Sequence, residues 1–223
     1  MVDARDGTVL GHVDLGGTPE QTIGDGKGTI YQVLQERPGS VAVVDAKTMK
    51  VTATYPFGDN GGCNGLALDV KNQILFAACS VIGPPGTPNP TDPNAKPPQT
   101  MVILSAKDGK ILERLPLAGS SDGAAFNPAT MEAFSTQGNG TMTIVREKSP
   151  TSFEVEQDLK TWPSNGARTI AFDGKTSHLF AMASEAGPPP PPPPAETPPP
   201  AGGRGAGRGA AIPGSFTIIM VGK

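Results

Sequence analysis

A chain that repeats itself constrains its own fold more tightly than any local propensity, because each unit must bury its faces against its neighbours. Three stretches share nearly one wording: "DGTVLGHVDLGG" at 6–17, "KTMKVTATYPFG" at 47–58 and "KDGKILERLPLAG" at 107–119. Each is a turn followed by an alternating strand, with Gly closing it. A second set, "TIGDGKGTIYQV" (22–33), "LALDVKNQILFAA" (66–78), "AAFNPATMEAFST" (124–136) and "IAFDGKTSHLFAM" (170–182), reads as hairpins turning at Asp or Asn. A third set is "GSVAVVDA" (39–46), "TMVILSA" (100–106), "GTMTIVRE" (140–147) and "GSFTIIMV" (214–221). Aligned on the turn residue, the repeats start at Glu20, Asn64, Asp122 and Arg168, spaced 44, 58 and 46 residues apart. Removing a Pro-rich insertion returns the long spacing to about 44, within the range of a propeller blade. Four short antiparallel strands per unit predict an all-β chain, a β-propeller of about four blades forming one domain over residues 1–223.

The two ends of the chain refine this expectation. Before the first repeat comes one full outer strand, Thr8 to Leu15, and the last repeat, from Arg168, has three strands and no outer one. The N-terminal strand is therefore expected to complete the last blade and close the ring as a monomer. A piece of a larger ring, closed by a homodimer, is the alternative.

Pro and Gly number 25 and 29, and their excess sits in two insertions, at 80–99 and 185–214. Both fall between the second and third strands of a repeat, in the second and fourth units, so both are expected to overhang the mouth of the central channel. Polyproline II needs no internal hydrogen bonds, which lets such a loop stand without a core. The "GGRGAGRGAAIPG" half is flexible and cationic, but two arginines are too few for nucleic acid.

The units "VAVVDAKTMKVTATYPFG" and "NGLALDVKNQILFAAC" resemble the YVTN-repeat, lactonase-like β-propellers of bacteria, apart from the two insertions and the smaller number of blades. Glu20, Asn64 and Asp122 are hard oxygen donors of the kind that suits Ca²⁺. A similar Glu, Asn and Asp set occurs in the calcium-dependent propeller lactonases of the gluconolactonase and paraoxonase type. The resemblance implies a lactone or ester hydrolase, acting on a sugar lactone or an acyl-homoserine lactone. In it Ca²⁺ is the cofactor and Asp122 or Glu20 takes the proton from water. In an enzyme of this kind Arg168 is expected to hold the oxyanion or a substrate carboxylate. Arg168 departs from a cation site, so a metal-free channel held by an Arg168 ion pair to Asp122 or Glu20 is the competing expectation. A non-catalytic binding or scaffold propeller that recognises a peptide or other partner is the competing function, since propellers host both.

Other chemistry is excluded more directly. The two histidines, His12 on an outer strand and His178 at the far end of a hairpin, lie away from the mouth, which removes a Ser-His-Asp triad and a His-rich metal site. A net charge of −3 and few aromatics argue against nucleic acid or an anionic membrane as partner. No apolar run reaches spanning length, and "MVDARDGTVLG" lacks a signal pattern. The resemblance points to a periplasmic or secreted protein. Cys63 and Cys79 flank one hairpin and are either a disulfide or two buried thiols, and Trp162 and Tyr55 are expected as packing residues on outer strands.

Overall fold

The structure is a computed structural model that describes residues 1–82, 99–163, 168–188 and 210–222. Fifteen strands form four antiparallel sheets in chain order, with no helix among the described residues. The first sheet holds β1 (Pro19–Gly24), β2 (Thr29–Leu34), β3 (Ser40–Asp45) and β4 (Lys50–Pro56). The second holds β5 (Asn60–Asp69), β6 (Ile74–Ile82), β7 (Thr100–Ser105) and β8 (Ile111–Pro116). The third holds β9 (Ser121–Asn127), β10 (Glu132–Gln137), β11 (Thr141–Ser149) and β12 (Ser152–Lys160). The fourth holds only β13 (Arg168–Asp173), β14 (His178–Ala183) and β15 (Thr217–Val221).

Local chemistry repeats with the sheets. Asp25, Asp69, Asn127 and Asp173 each accept a hydrogen bond from the amide two residues on, at 2.7–3.0 Å, which closes the turn between the first and second strand of every blade. Gln73, Met131 and Ser177 follow in the left-handed region at φ of 56–58°, completing the last three of these hairpins. The outer strands β4, β8 and β12 alternate exposed and half-buried residues, whereas β3 and β7 are almost wholly buried.

Alternation gives every sheet two apolar faces, and three inter-blade clusters bury the faces that meet. Tyr31, Val33, Val41 and Val43 of the first blade pack on Leu66, Leu75, Ala77, Val102 and Leu104 of the second. The opposite face of the second, with Phe76, Met101 and Ile103, packs on Phe126, Ala133 and Val145 of the third, where the Phe76 and Phe126 rings stack at 5.4 Å. Phe134, Met142 and Ile144 of the third meet Leu179, Ile170, Phe172 and Val221 of the fourth. Near the axis the backbones come very close: a methyl group on Gly65 of β5 would lie 2.7 Å from the carbonyl carbon of Gly123 on β9. Only glycine fits there.

Closure by the N-terminal strand is not what the hydrogen bonds show. Inner strands pack in sequence, β1 on β5, β5 on β9 and β9 on β13, but no comparable packing joins β13 to β1. Residues 1–11 instead fold back on themselves, with Val2 bridging Val9 and Leu10 donating to the Met1 carbonyl at 2.9 Å. The next stretch lies along the first blade, its Gly11 against the Met49 side chain and its Gly17 against Glu36. The Asp3 side chain anchors the turn by accepting from the Arg5 amide and guanidinium, which commits this segment locally. Of the packing residues, Tyr55 lies on β4 and donates to the Lys107 carbonyl at 3.1 Å, while Trp162 falls just beyond β12.

One charged pair is buried between the second and third blades. Asp69 and Glu147 are 1% and 3% exposed. Asn72 donates to Glu147 Oε1 at 2.6 Å, but Asp69 Oδ2 and Glu147 Oε2 have no donor. A proton held by Glu147 supplies one. Burial pushes the Glu147 carboxyl up to about 7, and the Asp69 carboxylate acts in the same direction against the Asn72 hydrogen bond. The folded state therefore keeps a proton that the unfolded chain releases near 4.5, so stability falls as pH rises from about 4.5 through about 7 and levels off above. Denaturant melts at pH 5 and pH 8 should differ by roughly 2–3 kcal/mol through this group. Glu147→Gln, which keeps the shape and carries its own N–H donors, should remove most of that slope and raise stability at pH 8.

Candidate functional site at the channel mouth

The inner strands share an irregularity that decides what faces the axis. Each carries a β-bulge near its start: at Glu20 and Gln21 in β1, Asn64 in β5, Asp122 in β9 and Thr169 in β13. A bulge inserts an unpaired residue and re-aims its side chain. The bulges leave Glu20 and Gln21, Asn64, Asp122 and Thr169 out of register. Counting from the turns reaches Glu20, Asn64 and Asp122, while in β13 the bulge falls at Thr169, one residue past Arg168. Gln21, Asn64, Asp122 and Thr169, with Glu20, Gly123 and Ile170, line one open cavity of about 220 Å³. Glu20, Asn64 and Asp122 thus line a single space. Arg168 does not line it and stands beside it, its Nη1 3.6 Å from Asp122 Oδ1, with the guanidinium 39% exposed. An Arg168–Asp122 ion pair was the competing expectation, and it is present.

Gln21 holds the mouth together. Its Nε2 donates to the Ala124 carbonyl at 2.8 Å, and its Oε1 accepts from the amides of Leu66 at 3.0 Å and Ala124 at 2.9 Å. One side chain on the first blade thereby binds backbone of the second and third. Asn64 is used at both ends, accepting from Gln35 Nε2 at 2.7 Å and donating to the Ser121 carbonyl at 3.2 Å. Asp122 Oδ2 accepts from the Thr169 amide at 2.8 Å and its hydroxyl at 3.3 Å. Thr169 sits at φ 49°, a left-handed conformation that a β-branched residue takes only when its surroundings impose it. The Asp122 carboxylate is what imposes it. No sequence pattern marked Gln21 or Thr169, since only the bulge brings them inward.

A calcium shell built on Glu20, Asn64 and Asp122 fits poorly, because the Asn64 oxygen and one Asp122 oxygen already accept hydrogen bonds and the other Asp122 oxygen faces a guanidinium. No group of three or more His, Cys, Asp and Glu side chains gathers among the described residues. Cys63 and Cys79 pair directly across β5 and β6 and form a disulfide, which leaves no free thiol here. His178 pairs with Asp173 at the opposite end of the fourth blade.

Both insertions leave from the mouth end of their blades: β6 ends at Ile82 opposite Asn60, and β14 ends beside the start of β13, with Met182 opposite Arg168. The loops themselves, 83–98 and 189–209, lie outside the described residues.

Solved structures with this arrangement exist. The chain is similar to the β-propeller domain of Cps50 (Swd1) from Myceliophteria thermophila, with a TM-score of 0.55 and 14% identity over 76% of this chain and 50% of that one. It is similar also to the hydrazine synthase of Kuenenia stuttgartiensis, with a TM-score of 0.57 and 14% identity over 79% of this chain and 44% of that one. The fold is a β-propeller. This propeller of four blades spans about half the length of those chains, and identity at this level carries the fold alone. No protein-family model matches the sequence, and no curated protein matches it.

Because Gln21 satisfies three backbone groups at once, Gln21→Ala should cost about 2–3 kcal/mol in urea denaturation, more than an exposed Gln. Asn64→Ala, which frees fewer backbone groups, should cost less.

Proposed function

We propose that this protein is a non-catalytic binding propeller, a scaffold that presents its mouth rim and blade surfaces to a partner. One observation carries the reading: the polar groups of the mouth are engaged with one another. Asp122 is taken by Thr169 and Arg168, Asn64 by Gln35 and Ser121, and Gln21 by Leu66 and Ala124. A general base or oxyanion donor must offer a group aimed at the reacting atom, and these are aimed at the protein. The disulfide suits an oxidising compartment, in keeping with an exported protein.

A lactone or ester hydrolase of the YVTN-repeat, lactonase-like kind is the second reading. It is favoured by the convergence of Glu20, Asn64 and Asp122 on one cavity with Arg168 beside it. In that reading Glu20 or Asp122 takes the proton from water and Arg168 turns from Asp122 to the oxyanion.

A panel running from sugar lactones to acyl-homoserine lactones, assayed with added Ca²⁺ and with EDTA, separates the two. The binding reading expects no turnover above buffer and no thermal shift with Ca²⁺. Turnover that disappears in Asp122→Ala would establish the hydrolase instead.

A further inference from the structure

The fourth blade is unfinished on the side away from the third. β15 is paired with β14 from Thr217 to Val221, and among the described residues nothing pairs with its other edge. The face beside that edge is apolar and uncovered. Phe216, Ile218 and Met220 are 61–63% exposed and Met182 is 42% exposed. Thr169, Ile170, Ala171, Phe180, Met182 and Ile218 line an open apolar hollow of about 210 Å³ there.

β15 is not built as an edge. Natural edge strands carry charges or Pro to block pairing. The outer strands here do so: β4 has Lys50 and Pro56, β8 has Glu113, Arg114 and Pro116, and β12 has Glu154, Glu156, Asp158 and Lys160. β15 reads Thr-Ile-Ile-Met-Val, in line with the internal strands β3 and β7. Its sequence expects a strand on both sides.

The matching donor lies at the other end of the molecule. Residues 8–15 have the wording of the outer strands, and Gly11, Val13 and Leu15 are half-buried while His12 and Asp14 face solvent, the alternation of a strand. Yet among the described residues His12, Val13 and Leu15 donate no backbone hydrogen bond. The segment is a strand without a sheet, and the fourth blade is a sheet without its last strand. Within the chain the two do not meet, because residues 11–17 are laid along the first blade.

We propose that the occupant of the β15 edge is the segment 8–15 of a second copy of this chain. The exchange is reciprocal about a two-fold axis, so each copy donates its strand and receives one. The uncovered face of each fourth blade then packs on the first blade of its partner, and both open edges disappear. Two copies of four blades would make a ring at the eight-blade limit of common propellers. The inference is independent of whether the mouth binds or hydrolyses.

Light scattering on the full 223-residue chain at micromolar concentration tests this, joined to hydrogen exchange on β15. The expected mass is twice the 22.8 kDa of one chain, with slow exchange for the β15 amides. Met220→Lys charges the receiving face at a residue already exposed in the single copy, and Val13→Pro removes a backbone donor from the donated strand. Each should weaken dimerisation by at least tenfold while the far-UV spectrum of the folded chain is kept. A monomer whose β15 exchanges fast overturns the proposal, and so does a monomer whose β15 is protected, since its own N-terminal strand would then be the donor. A dimer indifferent to both substitutions also overturns it, by placing the contact elsewhere.

Discussion

Every blade here is a thin sheet with two apolar faces, and a sheet of that kind is stable only when both are covered. The first three blade contacts meet this demand through apolar side chains projecting from alternate positions: Val33 and Val43 against Leu75 and Val102, Phe76 against Phe126, Phe134 against Leu179. The core is therefore a series of slabs between blades, and the second and third blades, covered on both sides, contain most of the fully buried residues. Among the described residues the fourth blade is covered on one side only. Its exposed Met182, Ile218 and Met220 are the same kind of residue that the other blades bury, which marks a contact surface left open and not a surface evolved for water.

At the axis, apolar packing gives way to hydrogen bonding between polar side chains and backbone of the inner strands. A bulge recurs near the start of each of these strands. It turns Gln21, Asn64, Asp122 and Thr169 inward, and these knit the first turns of the inner strands together across blade boundaries. Gln21 is the most connected, since a single amide both donates and accepts and so can satisfy backbone on two other blades. The bareness of Gly65 and Gly123 is part of the same arrangement, as it allows β5 and β9 to approach closely enough for Gln21 to reach both. Polar side chains at a propeller mouth invite a catalytic interpretation, but the same groups are also what a narrow ring needs to satisfy its own backbone.

Much of this was legible in the repeats. Four units, their strand order and the Asp and Asn turns follow from period and turn chemistry, which are local. Asn64 and Asp122 were legible as mouth residues because the count from their turns happens to match the bulged register. Glu20 lies in the same bulge as Gln21 and lines the same cavity, whereas in β13 the bulge falls at Thr169, one residue past Arg168, since a bulge changes facing without leaving a mark in the alternation. The Asp69–Glu147 pair was not legible at all: its members sit 78 positions apart and become neighbours only when the second blade packs on the third.

The sequence alone determined the all-β class and the number of blades, because periodicity is a property of the chain before it folds. The tertiary structure decided which side chains face the axis, that Arg168 answers Asp122, that Cys63 and Cys79 join, and that residues 11–17 lie along the first blade without pairing to the last. Those outcomes depend on the angle and spacing between blades, which arise from packing energies summed over residues far apart in sequence and are encoded in no single repeat.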